Sequence, residues 1–181
     1  CNYACSYCII PTARGLSRSV EPGAVLEEVK RLADSGYKEI VLTGIHLGGY
    51  GQDLQPRIDL TRLVEMIATS GLITRLRLSS LDPREVPDRL LELLAGSNVA
   101  CPHLHICAQA GDDRILKAMR RTYDAERYLE LVDRLRAAIP DLAPGTDVIV
   151  GFPGETEADF AETLRVVEAV RYDSAFTFIY S

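Results

Sequence analysis

The chain has 181 residues, of which 47% are hydrophobic and 25% are charged, and its formal net charge is −6. This composition is typical of a globular domain and excludes a disordered chain. No long uncharged apolar run, signal peptide or polybasic lipid-anchor pattern is present, so we exclude membrane insertion and secretion and expect a cytoplasmic protein. Because the sequence begins at Cys1 rather than at methionine, we expect a piece of a longer polypeptide.

Helical patterns alternate with short strand-like runs after residue 20, separated by capping residues, proline and glycine. The predicted helices are Pro22 to Gly36, 59–70, 86–95, 124–139 and a segment from a capping pair, Thr156 and Asp159, to about Val170. The predicted strands are 39–43, 75–79, 103–109, 145–150 and 174–180. Five strands with a helix in each gap predict a single α/β domain with a parallel sheet or barrel.

Polar residues alternate with apolar ones in these strands, whereas covered parallel strands are usually apolar on both faces. Arg75, Arg77 and Ser79 oppose two leucines, because successive side chains point to opposite faces. The same alternation sets these polar residues on one face of the later strands: His103, His105, Cys107, Gln109, Asp147, Thr177 and Ser181. We therefore predict a barrel with a polar inner face. An antiparallel sheet wetted on one side is the alternative, which the intervening helices disfavour.

Glycine-rich loops follow three of the predicted strands, at 43–51, 109–111 and 151–156. Ligands of parallel α/β folds bind at the carboxyl ends of the strands, and glycine lets the backbone approach a ligand closely. Each loop alone also suits an ordinary turn between a strand and a helix. Their convergence on one rim predicts a ligand site there.

Three of the five cysteines, Cys1, Cys5 and Cys8, form a C-x3-C-x2-C array that one loop can fold around a single metal centre. Structural zinc usually takes four protein ligands, and a fourth is missing here. An iron–sulfur cluster held by three thiolates keeps one iron open for a ligand, whereas electron carriers favour four cysteines. A structural zinc site and an electron carrier are the alternatives to an enzyme. Cys101 and Cys107 lie far along the chain, and Cys107 is most simply a small buried residue.

The array, with the aromatic Tyr7 before its last cysteine and a βα pattern after it, resembles the radical S-adenosylmethionine superfamily. The resemblance implies a [4Fe–4S] cluster on Cys1, Cys5 and Cys8, with S-adenosylmethionine on the fourth iron. One electron would cleave this cofactor to methionine and a 5′-deoxyadenosyl radical. It also implies a partial (β/α)6 TIM-like barrel, and with five strands here its first strand would precede Cys1.

Further segments resemble the methylthiotransferases of this superfamily across the whole chain: 8–11, 13–15, 17–19, Gln109 with Gly111, Met119 to Arg121 and 147–156. The segment 36–51 most resembles the MtaB branch, which methylthiolates C2 of N6-threonylcarbamoyladenosine beside the anticodon of tRNA. The alternatives are the branches that act on isopentenyladenosine in tRNA or on ribosomal protein S12. The chain would then be the catalytic core, residues 1–181. An N-terminal domain with a second [4Fe–4S] cluster and a C-terminal RNA-binding module would lie outside it, and the partners would be tRNA and a low-potential electron donor.

The resemblance also implies roles for individual residues. Candidates for cofactor binding are Tyr7, Thr43, Gly44, Ser79, Ser80, Gln109, Val150 and Gly151, and Ser80 is an equal candidate for capping the turn before Pro83. Candidates for substrate or lumen contacts are Arg14, Arg18, Arg77, Arg120, Arg121 and Asp147. For Arg77 and Asp147, the alternative to ligand contact is an ion pair with each other across the lumen. His46 is interpreted as a hydrogen-bonded loop residue.

The charge of the chain limits its expected RNA affinity. A net charge of −6 argues against broad binding to phosphates, which depends on lysine and arginine. A local basic rim of Arg14, Arg18, Lys117, Arg120 and Arg121 is compatible with RNA contact. At positions 107, 108 and 110, around Gln109, the family usually has proline, an aliphatic residue and serine, whereas this chain has Cys107, Ala108 and Ala110. These differences affect the shape of the cofactor pocket.

Overall fold

The computed structural model describes residues 1–181 and contains five strands and seven α-helices. The strands are β1 (Glu39–Leu42), β2 (Arg75–Leu78), β3 (His103–His105), β4 (Ala143–Val150) and β5 (Ser174–Ile179). The helices are α1 (Ile10–Arg14), α2 (Pro22–Asp34), α3 (Leu60–Thr69), α4 (Asp88–Gly96), α5 (Asp113–Ala118), α6 (Ala125–Ala138) and α7 (Glu157–Val170). Short 3₁₀ turns lie at Leu47–Gly49 and Pro83–Glu85. All five predicted strands and all five predicted helices are confirmed.

Every strand pairing is parallel. β1 pairs with β2, and β4 lies between β3 and β5. Isolated bridges join Leu76 to Ala100 and Leu81 to Ile106, so the β2 and β3 segments are also neighbours. The strands therefore follow one another in chain order around a partial barrel, because each helix returns the chain to the same end of the sheet.

The core lies between the strands and the helices. Its 32 buried residues include Leu76 and Leu104 from the strands and Ile67, Leu90 and Leu135 from the helices, each at most 2% exposed. Full burial of such a side chain contributes about 1.5–3 kcal/mol. This confirms the prediction that the leucine face of β2 points toward the helices. None of the helices combines the length and the apolar composition that crossing a bilayer requires.

Side-chain caps fix where most helices begin. Asp59, Asp112 and Asp124 accept hydrogen bonds from the backbone N–H three residues on. The predicted pair of Thr156 and Asp159 forms a reciprocal capping box at the start of α7. These caps position the loops that precede the helices, and those loops form the functional rim.

The inner face is polar on β2, on β3 and at Asp147, but the prediction is wrong for β5. Asp147 is the register partner of Phe176, and the ring centroids of Phe176 and His105 lie 5.8 Å apart, so Phe176 shares the inner face. Thr177 pairs with Val148 on the opposite face. Alternation shows which residues share a face but not which face is interior, and β5 is exposed on both.

The proposed ion pair between Arg77 and Asp147 is also wrong. Arg77 Nε lies 3.4 Å from a carboxylate oxygen of Glu39 on the adjacent strand β1. Asp147 instead contacts His105. Neighbouring strands supply nearer partners than the far wall of the lumen does.

Candidate cluster and cofactor site

The three N-terminal cysteines lie on one short loop. Cys1, Cys5 and Cys8 are half-buried and form no disulfide, and the N–H of Cys8 donates to the carbonyl of Cys5 at 3.1 Å. Ser6 fastens the loop to the end of α5, since its N–H donates to Met119 O at 3.2 Å and its hydroxyl to Ala118 O at 2.7 Å. The fold thus places the three free thiols on one short loop that is anchored to α5.

A buried arginine lies beneath this loop. The Arg121 guanidinium donates to Cys5 Sγ at 3.4 Å and to Tyr123 Oη at 3.0 Å, and it lies 3.1 Å from Asp82. Its side chain is only 8% exposed. Burial alone lowers the pKa of Arg121, but Tyr123, Tyr7 and Asp82 outweigh burial and hold this pKa above its ordinary value. The prediction that Arg121 belongs to an accessible basic rim is therefore wrong.

A second set of contacts, which the sequence did not predict, ties the loop to the segment after β2. Tyr3 Oη donates to Glu85 Oε1 at 2.6 Å, and His46 Nε2 contacts the same oxygen. The Arg84 guanidinium lies 4.6 Å from the centre of the Tyr3 ring. His46 is confirmed as a hydrogen-bonded loop residue. The available signal was a run of polar residues just after a strand, at the edge where loops converge.

A cleft of about 690 Å³ opens beside Cys1 at the carboxyl ends of β1 and β2. Seven of the predicted site residues line it: Cys1, Arg14, Arg18, Thr43, Gly44, Ser79 and Ser80. The volume is within the range of about 300–1,000 Å³ that is typical of small-molecule sites. Ser17 and Ser79 also line this cleft, and their hydroxyls are buried without a hydrogen-bond partner. Asp82, not Ser80, caps the turn at Pro83.

Other predicted residues lie outside the lining of this cleft. Gln109 is 8% exposed, has a φ of 67° and bridges β4 through Val148. The backbone N–H of Gly151 and that of Phe152 both donate to the Glu155 carboxylate, so they are already occupied. Tyr7 is half-buried near Arg121, and Val150 ends β4. The structure brings the β1 and β2 candidates together and leaves those of β3 and β4 farther along the rim.

Three titratable side chains meet on the inner face of the barrel: His105 at the end of β3, Cys107 two residues after it, and Asp147 in β4. Asp147 lies 3.1 Å from His105 Nε2, and Cys107 Sγ donates to its other oxygen at 3.0 Å. Burial and then the nearby carboxylate raise the pKa of the Cys107 thiol. Burial raises the pKa of Asp147, but the adjacent His105 side chain and the hydrogen bond from Cys107 lower it below its ordinary value.

The residues that form this site fall within a segment shared with known proteins. Residues 1–167 match the Radical SAM superfamily. The chain belongs to this superfamily. The three-cysteine donor set fits the superfamily's iron–sulfur cluster, since it supplies three soft thiolate ligands and no fourth. The cleft with two unpartnered hydroxyls beside Cys1 fits a polar cofactor such as S-adenosylmethionine.

The chain is similar to longer proteins over its whole length. It is 47% identical to "tRNA-2-methylthio-N(6)-dimethylallyladenosine synthase" of Thermoanaerobacter sp. (strain X514), and the alignment covers 100% of this chain and 38% of that protein. It is 45% identical to the protein of the same name from Clostridium botulinum (strain Okra / Type B1), covering 100% and 40%. The chain thus spans about two fifths of these relatives, whose names do not support the MtaB branch.

A solved structure supports the fold. SuiB of Streptococcus suis superposes with a TM-score of 0.67 at 16% sequence identity, over 100% of this chain and 37% of that one. This likeness confirms the α/β partial barrel of the radical SAM superfamily.

Proposed function

We propose that this chain is the catalytic core of a tRNA methylthiotransferase that acts on dimethylallyladenosine, the isopentenyladenosine alternative above. The observation that carries the proposal is the three-cysteine loop beside a cleft with unpartnered hydroxyls, in a chain 47% identical to a protein named for that reaction. When bound, the cluster supplies the electron that cleaves S-adenosylmethionine to a 5′-deoxyadenosyl radical.

The residues of this chain hold and orient the two cofactors. Cys1, Cys5 and Cys8 bind the cluster, while Arg121 donates a hydrogen bond to the Cys5 sulfur. The Ser79 hydroxyl and the Thr43–Gly44 backbone line the cleft and orient S-adenosylmethionine. Precise orientation matters because a radical reacts with the nearest hydrogen atom it meets.

The remaining parts of the reaction belong to the longer protein. We expect an N-terminal domain with a second [4Fe–4S] cluster as the sulfur-inserting part, a C-terminal RNA-binding module and a low-potential electron donor. The net charge of −6 supports this division, because the core itself has little charge for binding tRNA phosphates. Arg14 and Arg18, at the mouth of the cleft, are the basic residues best placed to meet the RNA.

A second candidate substrate is N6-threonylcarbamoyladenosine in tRNA. The segment 36–51 resembles the branch that modifies this nucleoside, and Ile45, His46, Gly49 and Tyr50 from it line the cleft. This resemblance is the only support for the second candidate, since the names of the relatives favour dimethylallyladenosine.

Nucleoside analysis of tRNA tests both candidates. A strain of the source organism that lacks the gene is expected to lose 2-methylthio-dimethylallyladenosine, as measured by liquid chromatography and mass spectrometry. Complementation with the Cys101→Ala gene restores the nucleoside, and the Cys5→Ala gene does not. Selective loss of the 2-methylthio-threonylcarbamoyl nucleoside would assign the second candidate. Retention of both nucleosides would overturn the proposal.

A further inference from the structure

Three potential metal ligands meet on the inner face of the barrel, and none of them belongs to the N-terminal three-cysteine loop. Cys107 and Asp147 are in direct contact, and His105 Nε2 approaches the second oxygen of the same carboxylate. One donor atom from each of the three side chains lies within 4.8 Å of the other two. His105 ends β3 and Asp147 lies in β4, its parallel neighbour, while Cys107 follows β3 by two residues, so the paired strands fix the separation of two of the three ligands.

The cluster contains a buried nitrogen without a satisfactory partner. His105 is 7% exposed, and its Nε2 is shielded from water and makes no hydrogen bond of adequate geometry, although Asp147 lies 3.1 Å away. The ring is held in place, since Phe176 packs near it and the absent side chain of Gly145 leaves it room. A buried nitrogen without a well-formed hydrogen bond is unfavourable, and an ion that this nitrogen ligates would remove that cost.

We propose that His105, Cys107 and Asp147 bind a divalent transition metal ion, with zinc as the best match, through ligands distinct from the three cysteines that would hold the iron–sulfur cluster. A nitrogen, a sulfur and a carboxylate oxygen form a donor set that zinc favours. On binding, the Cys107 thiol releases its proton to solvent and a sulfur–metal bond forms. Thiolate and carboxylate then balance the two positive charges of the ion, so the buried site is neutral.

The dimensions of the site suit a tetrahedral ion. Zinc bonds of about 2.0–2.1 Å to nitrogen and about 2.3 Å to sulfur place tetrahedral ligands roughly 3.5 Å apart. The donor atoms already lie within 4.8 Å, so side-chain rotation closes the remaining gap. Asp147 is the most open of the three, with 22% of its side chain exposed, so the fourth position faces the lumen. Three protein ligands with an open position are typical of zinc that binds a further small ligand.

The competing interpretation is a hydrogen-bonded network without an ion, in which the Cys107 thiol donates to Asp147 and His105 supports the same carboxylate. Cys107→Ser separates the two interpretations, because serine keeps a donor for Asp147 but removes the thiolate ligand.

Metal titration tests the site directly. The cluster ligands are removed by Cys1→Ala, Cys5→Ala and Cys8→Ala together, and zinc is measured by elemental analysis after dialysis. We expect one zinc per chain, and with cobalt a thiolate-to-metal charge-transfer band. Adding Cys101→Ala, a buried cysteine outside the site, should change neither. Adding Cys107→Ser or Asp147→Asn should weaken zinc binding by more than the roughly 10–100-fold seen for supporting residues, and Cys107→Ser should abolish the band.

Circular dichroism of each variant verifies that the chain is folded. Absence of zinc from the folded triple variant, or retention of zinc and the cobalt band after Cys107→Ser, would overturn the proposal. The result is independent of the proposed tRNA substrate, since no step of the titration uses S-adenosylmethionine or RNA.

Discussion

Arg121 and Asp82 form the most buried ion pair of the chain, with side chains 8% and 5% exposed. The pair lies directly under Cys5, and the aromatic ring of Tyr123 packs 5.1 Å from the guanidinium carbon. A buried charge that loses its partner is costly, because neither water nor another charge replaces it. The pair therefore couples the stability of the fold to the position of the cysteine loop.

Removal of the arginine charge tests this coupling. We expect Arg121→Met to lower the free energy of unfolding by about 3 kcal/mol, near the low end of the usual cost because Arg84 still donates to Asp82. Urea denaturation of the chain without cofactors measures the loss. The matched control is Arg165→Met, since the pair of Arg165 with Glu162 is exposed and its removal should cost less than about 1 kcal/mol. Equal effects of the two substitutions would contradict the account.

At the level of single residues, the cysteines could be predicted and their supports could not. Cys1, Cys5 and Cys8 are adjacent in sequence and their spacing indicates metal binding. Tyr3 and Glu85 meet across 82 positions, and Arg121 reaches Cys5 across 116. Such contacts depend on the order of the strands, which a local pattern does not contain.

Gly111, in the loop between β3 and α5, packs closely against the backbone of α7. Its N–H donates to the Thr163 hydroxyl at 2.9 Å, and a β-carbon at this position would lie 2.6 Å from backbone atoms of α7. No side chain can be placed there unless the helix moves away from the sheet.

Gly111→Ala should therefore destabilise the chain by about 1–3 kcal/mol through overpacking. Gly96→Ala is the control, because a β-carbon at position 96 would have nothing within 4 Å and the φ of this residue is not in the left-handed region. Thermal unfolding followed by circular dichroism should show a lower midpoint for Gly111→Ala alone. A midpoint that does not fall for Gly111→Ala would show that α7 adjusts freely.

The start of α7 should respond to acid through Asp159. Hydrogen bonds from the Thr156 side chain and backbone lower the pKa of Asp159 to about 2. Because this value lies below the unfolded value of about 3.9, the stabilisation is fully present above about pH 4 and is lost as the pH falls toward 2.

The difference in melting temperature between the unaltered chain and Asp159→Asn measures this contribution. It should be constant near neutral pH and should shrink as the pH falls below about 4. Glu157→Gln, in the same helical turn but outside the capping box, is the matched control. A difference for Asp159→Asn that is independent of pH would contradict the assigned role of the capping box.

At the level of elements, hydrophobic periodicity and capping residues were sufficient to predict the five longer helices. α1 and α5, of five and six residues, were not predicted, because one or two turns carry too little periodicity. The inner face of β5 was assigned incorrectly, because phenylalanines there resemble core residues although they lie on the lumen side. The pairing register of β5 with β4 shows which face of β5 is the inner one, and this register cannot be derived from the sequence of β5 alone.

At the scale of the whole molecule, the parallel barrel brings loops that are distant in sequence to one rim. Because all strands run in the same direction, the segments after β1 and β2 were predictable neighbours, and both line the cleft. The lumen contacts of Arg77 and Asp147 were not predictable, since alternation does not fix the distance across the barrel. Arg121, which the sequence placed on a basic rim, is buried rather than free to bind RNA.

Production of 5′-deoxyadenosine tests the central claim, that the three-cysteine loop and the adjoining cleft act together on S-adenosylmethionine. The chain is reconstituted anaerobically with iron and sulfide, reduced with dithionite and supplied with S-adenosylmethionine. We predict 5′-deoxyadenosine from the unaltered chain and from Cys101→Ala, and none from Cys5→Ala. A colourless zinc protein, or a coloured protein that forms no 5′-deoxyadenosine, would contradict the account.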